Sequence, residues 1–133
     1  MHEVQEVQPD VYLAVCPSRQ VLSRIGEKWT SLVMGLLQEH PHRFAELERR
    51  IQGISRKMLT QTLRLCERDG LVSREMTGDK MPVKVVYAIT PLGMTLIPVI
   101  NQAKAWAQDN LKAVEAARQA YLEKDGVRIP IKA

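Results

Sequence analysis

The chain has 133 residues, 45% of them apolar and 26% charged, with a formal net charge of +4, the balance of one soluble folded domain and not of a fibrous or low-complexity polypeptide. Two cysteines, Cys16 and Cys66, cannot build a disulfide framework, and the longest apolar run, Val11 to Cys16, falls far short of the roughly 20 residues of a membrane-spanning helix. The acidic start lacks the basic and apolar regions of a secretory signal, so the sequence predicts a cytoplasmic protein with reduced thiols.

Charge is unevenly placed. Residues 42–84 carry 10 basic and 6 acidic side chains, whereas residues 1–41 carry 3 and 5. A polyanionic partner is therefore expected to meet the middle third of the chain.

In chain order, Ser18 to Ile25 reads as a short helix that Pro17 prevents from extending backwards. Lys28 to Gln38 carries an apolar stripe of Trp29, Leu32, Val33, Leu36 and Leu37. His40-Pro41-His42 ends it as a turn, Arg43-Phe44 reads as a brief extended element, and Phe44, Leu47 and Ile51 mark a third helix before Gly53. A fourth helix starts at Ser55, a capping residue, and stops at Asp69-Gly70. At 100° per residue, Met58, Leu59, Thr62, Leu63, Leu65 and Cys66 share one arc of it, and Lys57, Thr60, Gln61, Arg64 and Arg68 the other.

Leu71 to Met76 and Val83 to Ile89 have strand character around a Thr77-Gly78-Asp79 turn, giving a hairpin with Lys80 and Lys84 near its tip. Thr90-Pro91 opens a helical pattern reaching about Tyr121, with a kink or break expected at Pro98. Its apolar stripe runs through Leu96, Val99, Trp106, Leu111 and Tyr121, roughly 45 Å at 1.5 Å per residue. Such a helix outruns its own small domain. The residues after Gly126 read as a loose tail.

This order predicts a mainly α fold with a small β hairpin: a winged helix-turn-helix with N- and C-terminal dimerisation helices. The expected division is an N-terminal arm at 1–15, a DNA-binding core at 16–90, dimerisation helices at 91–122 and a tail at 123–133. A major groove about 12 Å wide admits one helix, so a helix presenting Lys, Thr, Gln and Arg outward can reach phosphates and base edges together. Arg64 and Gln61 are the expected base readers, because arginine bonds guanine and glutamine bonds adenine in a two-point manner. Ser55, Arg56, Lys57 and Thr60 are expected at the DNA backbone, with Arg43, Lys80 and Lys84 as further phosphate contacts. The bland alternative for each is a solvated surface charge.

No catalytic pattern competes. There is no glycine-rich phosphate loop, nucleophile elbow or H-E-x-x-H, and three histidines without cysteine at ligand spacing give no metal signature. Neither an enzyme nor a cofactor is expected. The remaining competitor is a helical dimeric adaptor that binds protein without sequence-specific DNA binding, for which the long C-terminal stripe is the positive evidence.

Several segments also resemble one family in order and gap. Cys16-Pro17, Ile25-Gly26-Glu27-Lys28-Trp29, Arg43-Phe44-Ala45-Glu46-Leu47, Gly53 to Gln61, Asp69-Gly70-Leu71 and Tyr87 to Gly93 resemble the HxlR-type bacterial transcription regulators. The resemblance implies a homodimer, related in architecture to the MarR group, built through its N- and C-terminal helices. Leu65, Cys66 and Val86 depart from the usual family pattern, Leu65 standing where a polar residue is expected.

The resemblance also makes Cys16 a sensor candidate, as in relatives where a cysteine there meets oxidants or electrophiles. A helix start would favour its thiolate. Plain packing at the end of the apolar run Val11 to Val15 is the alternative. Cys66, on the inward arc, should be inert. The combined expectation is a homodimeric regulator, a repressor, on a pseudo-palindromic duplex site, controlled by a small effector or by Cys16 chemistry.

Overall fold

The computed structural model describes residues 8–79 and 81–125. Six helices and a hairpin follow in chain order: α1 (Pro17–Gly26), α2 (Lys28–Glu39), α3 (Phe44–Arg50), α4 (Arg56–Arg68), β1 (Val72–Thr77), β2 (Lys84–Ile89), α5 (Pro91–Asp109) and α6 (Leu111–Asp125). The chain divides into two compact units at Ile100. The first holds α1 to α4, the hairpin and the start of α5; the second holds the end of α5 and α6.

Local chemistry fixes the ends of α4. The Ser55 hydroxyl accepts the Met58 N–H at 3.0 Å, satisfying one of the free donors of the first turn. At the other end Gly70 takes a φ of 78°, which a side chain would disfavour. That turn lets the Gly70 N–H reach the Glu67 carbonyl at 3.0 Å and the Leu71 N–H reach Cys66 at 2.9 Å, closing the helix with a Schellman arrangement. The chain then passes directly into β1.

β1 and β2 pair antiparallel from Val72 opposite Ile89 to Thr77 opposite Lys84. A third short stretch joins them, since His42 and Tyr87 exchange both backbone bonds at 2.9 and 2.8 Å. The brief extended element therefore centres on His42, while Phe44 already begins α3. The first unit's core draws Val33, Met34 and Leu37 from α2, Leu47 from α3, Leu59, Leu63 and Cys66 from α4, Val72 from β1, and Ile97 and Ile100 from α5. Each large side chain buried there contributes roughly 1.5–3 kcal/mol against solvent exposure.

The helix does not break at Pro98, which lies inside α5 on an exposed position. Proline has no N–H to bond the Met94 carbonyl and its ring crowds that group, yet the helix continues through the position. The interruption falls at Asn110 instead. There the Trp106 carbonyl accepts both the Asn110 N–H at 3.0 Å and its side-chain amide at 2.9 Å, the local competition by which asparagine disfavours helix interiors. No described helix is long and apolar enough to cross a membrane.

Candidate nucleic-acid interface

The inner arc of α4 buries Leu59, Thr62, Leu63 and Cys66, and its outer side exposes Arg56, Lys57, Gln61, Arg64 and Arg68. Burial of the first row in the core orients the second outward. Thr60 is half-buried between them. Arg56 lies over the Phe44 ring at 5.5 Å and has its Nε 3.6 Å from Glu48. At 79% exposure that contact holds the side chain weakly. Ser55 acts first as the cap of the helix.

The remaining expected contacts are dispersed. Arg43 precedes α3, where its N–H is accepted by the Glu46 carboxylate at 3.3 Å and its own side chain is exposed. Lys84 opens β2 and is exposed, its carbonyl accepting the Thr77 hydroxyl at 3.3 Å. Lys80 lies outside the described residues.

Two expectations for the apolar arc change. Met58 is exposed and Leu65 half-buried, and both line a cavity of about 330 Å³ with Glu27, Lys28, Trp29, Gln61 and Thr62. Lys28 Nζ stands 4.5 Å from the Trp29 ring centre, a cation–π distance. The α4 stripe is wide enough to reach α2, so Gln61 has an apolar neighbourhood on one side. Periodicity on α4 alone could not reveal this, because Trp29 comes from another helix.

Cys16 is the residue before α1, half-buried, in extended conformation. Its Sγ lies 3.0 Å from the Ser18 hydroxyl and accepts the Asp10 N–H at 3.3 Å. Those bonds, Ser18's first, lower the thiol below its ordinary value. Cys16 lies outside the buried core of the chain, and Tyr12 and Val15 of the same run are 86% and 91% exposed. Cys66 is the opposite case: burial pushes its thiol up to about 11.

The turn at 40–42 does more than end α2. His40 and His42 stack at 4.1 Å, His42 is buried, and its Nδ1 lies 2.7 Å from the His40 carbonyl. Arg50 Nη1 approaches His42 Nε2 at 3.3 Å and binds Glu39 at 2.6 Å, lowering that carboxyl. Glu39, His40 and His42 bring ligand-type atoms within 4.8 Å of one another, but Arg50 occupies two of the three. A cation would have to displace it. The cluster ties the end of α2 to α3, and the backbone pair of His42 carries the tie on to β2.

Known proteins share this arrangement. The profile of the HxlR-like helix-turn-helix family matches residues 24–115. The HTH-type transcriptional regulator YtfH of Escherichia coli (strain K12) is 37% identical over 109 residues, covering 82% of this chain and 86% of that protein. Among solved structures, ytfH of Salmonella typhimurium superposes with a TM-score of 0.76 at 34% identity, over 84% of this chain and 99% of that one. The redox regulator HypR in its reduced form superposes with a TM-score of 0.68 at 36% identity, over 75% and 98%. The fold is thus a winged helix-turn-helix, and the chain belongs to the HxlR-like helix-turn-helix family of transcriptional regulators, which are not enzymes.

Proposed function

We propose that the protein is a homodimeric repressor that binds duplex DNA, inserting α4 of each copy into successive major grooves of a pseudo-palindromic site about one helical turn apart. The observation that carries this reading is the exposed row Lys57, Gln61 and Arg64, set outward by the buried row Leu59, Leu63 and Cys66. In it Gln61 and Arg64 read bases, Ser55, Arg56, Lys57 and Thr60 hold phosphates, and Arg43, Lys80 and Lys84 extend the phosphate track. The division of labour is an arm at 1–15, a DNA-binding core at 16–90, dimerisation helices at 91–122 and a tail at 123–133.

Dimerisation is supported by apolar side chains exposed in the single chain: Val21 and Leu22 on α1, Trp106 on α5, and Leu111 and Tyr121 on α6. Left in water, the apolar side chains of each unit are of the kind a second copy covers. Control is assigned to Cys16, whose activated thiol stands at the start of α1; its oxidation or alkylation would alter dimer geometry and DNA release. The likeness to a redox regulator supports this reading.

The test is duplex binding across a salt series with Cys16→Ser, Arg64→Ala and native protein. A repressor of this kind loses affinity steeply with salt, loses base preference in Arg64→Ala, and loses its oxidant response in Cys16→Ser. Weak, salt-insensitive binding without base preference would favour the adaptor reading. An intact oxidant response in Cys16→Ser would eliminate the sensor.

A further inference from the structure

A second cavity, of about 440 Å³, opens between α1 and the last turn of α4 and is lined by Arg19, Gln20, Ser23, Arg24 and Arg68. Every lining side chain carries a hydrogen-bond donor, and no carboxylate lines the wall. The volume lies within the range of small-molecule sites, about 300–1,000 Å³.

Its charge is only partly answered. Arg24 binds Glu27 at 2.8 Å and stands 3.5 Å from Asp69, which Arg68 also meets at 3.2 Å. Arg19 bonds the neutral carbonyls of Val11 and Tyr12 at 3.0 and 2.7 Å. Three guanidinium groups thus face two carboxylates. The Arg24 side chain is 12% exposed, and the Asp69 approach falls outside hydrogen-bond geometry, leaving buried Nε without a hydrogen-bond partner among the described residues. The guanidinium is already paired with Glu27 through Nη1, so it is the Nε hydrogen alone that is left for a further acceptor, and a bound oxyanion can supply one.

We propose that this cavity binds a phosphate-type oxyanion, carried by a small molecule or by a nucleic-acid backbone, which joins α1 to the end of α4. Arginine suits it because its planar fork meets phosphate oxygens in pairs; the Gln20 amide and Ser23 hydroxyl add neutral donors. Arg68 follows Arg64 by four residues and Gln61 by seven, on the same arc of α4. An anion seated there therefore fixes the helix that the proposed function places in the groove. The site itself does not depend on that reading.

The test titrates the full chain with inorganic phosphate and with pyrophosphate, at constant ionic strength made up with chloride, following heat and phosphorus line width. Arg68→Gln and Gln20→Glu are the variants, because both positions are exposed; the anion-free melting curve of each is recorded as its folding control. Saturable uptake of one anion per chain, weakened about tenfold or more in both variants, supports a free-anion ligand. Without free uptake, a fall of about one in the salt slope of duplex binding by Arg68→Gln identifies a backbone phosphate as the ligand. Uptake equal in native and variant proteins overturns the proposal. So does the lack of saturable uptake together with an unchanged salt slope, or with no duplex binding at all.

Discussion

Gly93, in the first turn of α5, sits so close to the Leu71 carbonyl oxygen that a Cβ built on it would collide with that backbone atom. The same Cβ would meet Ile89 Cγ1 at 2.7 Å and Met34 Cε at 3.0 Å. Thr90 sets up this approach, its hydroxyl accepting the Gly93 N–H at 3.0 Å while its N–H reaches the Leu71 carbonyl at 3.1 Å. The glycine is needed for space, and so joins the hairpin to the helix that follows it. Gly93→Ala should cost about 3 kcal/mol, since backbone cannot give way as a flexible side chain can. Urea unfolding should display a lower midpoint with an unchanged slope; equal stability would contradict the packing described.

The Ser18 hydroxyl at 3.0 Å from Cys16 Sγ, with the Asp10 N–H, holds the thiol below its ordinary value. Iodoacetamide should therefore modify Cys16 with a pH midpoint below that of free cysteine, and Ser18→Ala should move the midpoint upward. In linkage terms, a depressed folded value adds stability above the unfolded value, and that contribution disappears as pH falls through the folded one. An alkylation profile of Cys16 indifferent to Ser18→Ala would refute the assignment.

Cys66 should behave in the reverse sense. With its folded value raised from 9.0 to about 11 by burial, the native state keeps the proton that the unfolded chain releases. Stability should be intact below pH 9 and fall as pH climbs toward 11, by about 2–3 kcal/mol from this group. Comparing native and Cys66→Ala proteins at pH 8 and pH 11 isolates it, since other titrating groups cancel. The variant starts less stable through its cavity but should lose less on the alkaline side.

On the proposed groove-reading face, Lys57 and Gln61 should fail differently. Lys57→Ala should weaken duplex binding uniformly across sequences and lower the salt slope by about one, as the loss of one phosphate contact does. Gln61→Ala should cost about 1–3 kcal/mol at one base position per half-site and little elsewhere. Binding titrations over single-base variants of the site separate the two patterns.

Much of this architecture was written in local sequence. Ser55, Asp69-Gly70 and Thr90-Pro91 are stop and start signals that act through their own backbones, and each marks an observed helix boundary. The buried row of α4 follows from helical spacing alone. At Pro98, where the sequence predicts a kink or break, α5 continues without a break, because a proline inside a helix can be held by the packing around it, which spacing does not encode. Asn110 carried a signal, its side-chain amide, that an unbroken apolar stripe on either side masked.

The contacts between elements were harder to see. His42 reads as half of a histidine-proline turn, yet it bridges to Tyr87, 45 positions along the chain. Nothing in the sequence singles out Arg24, because its placement beside Asp69 depends on how α1 meets α4. Arg68 already stood on the outer arc of α4, but nothing in the sequence paired it with Arg19 and Arg24 around one cavity.

The account rests on Arg64 meeting a base from the exposed side of α4. Selection of bound duplexes from a random pool by native and Arg64→Ala proteins measures this directly. The native protein should enrich a two-fold-related motif with half-sites about 10 base pairs apart, and Arg64→Ala should lose preference at one position in each half while still binding. Enrichment of no motif by the native protein, or an identical motif from both, would contradict it.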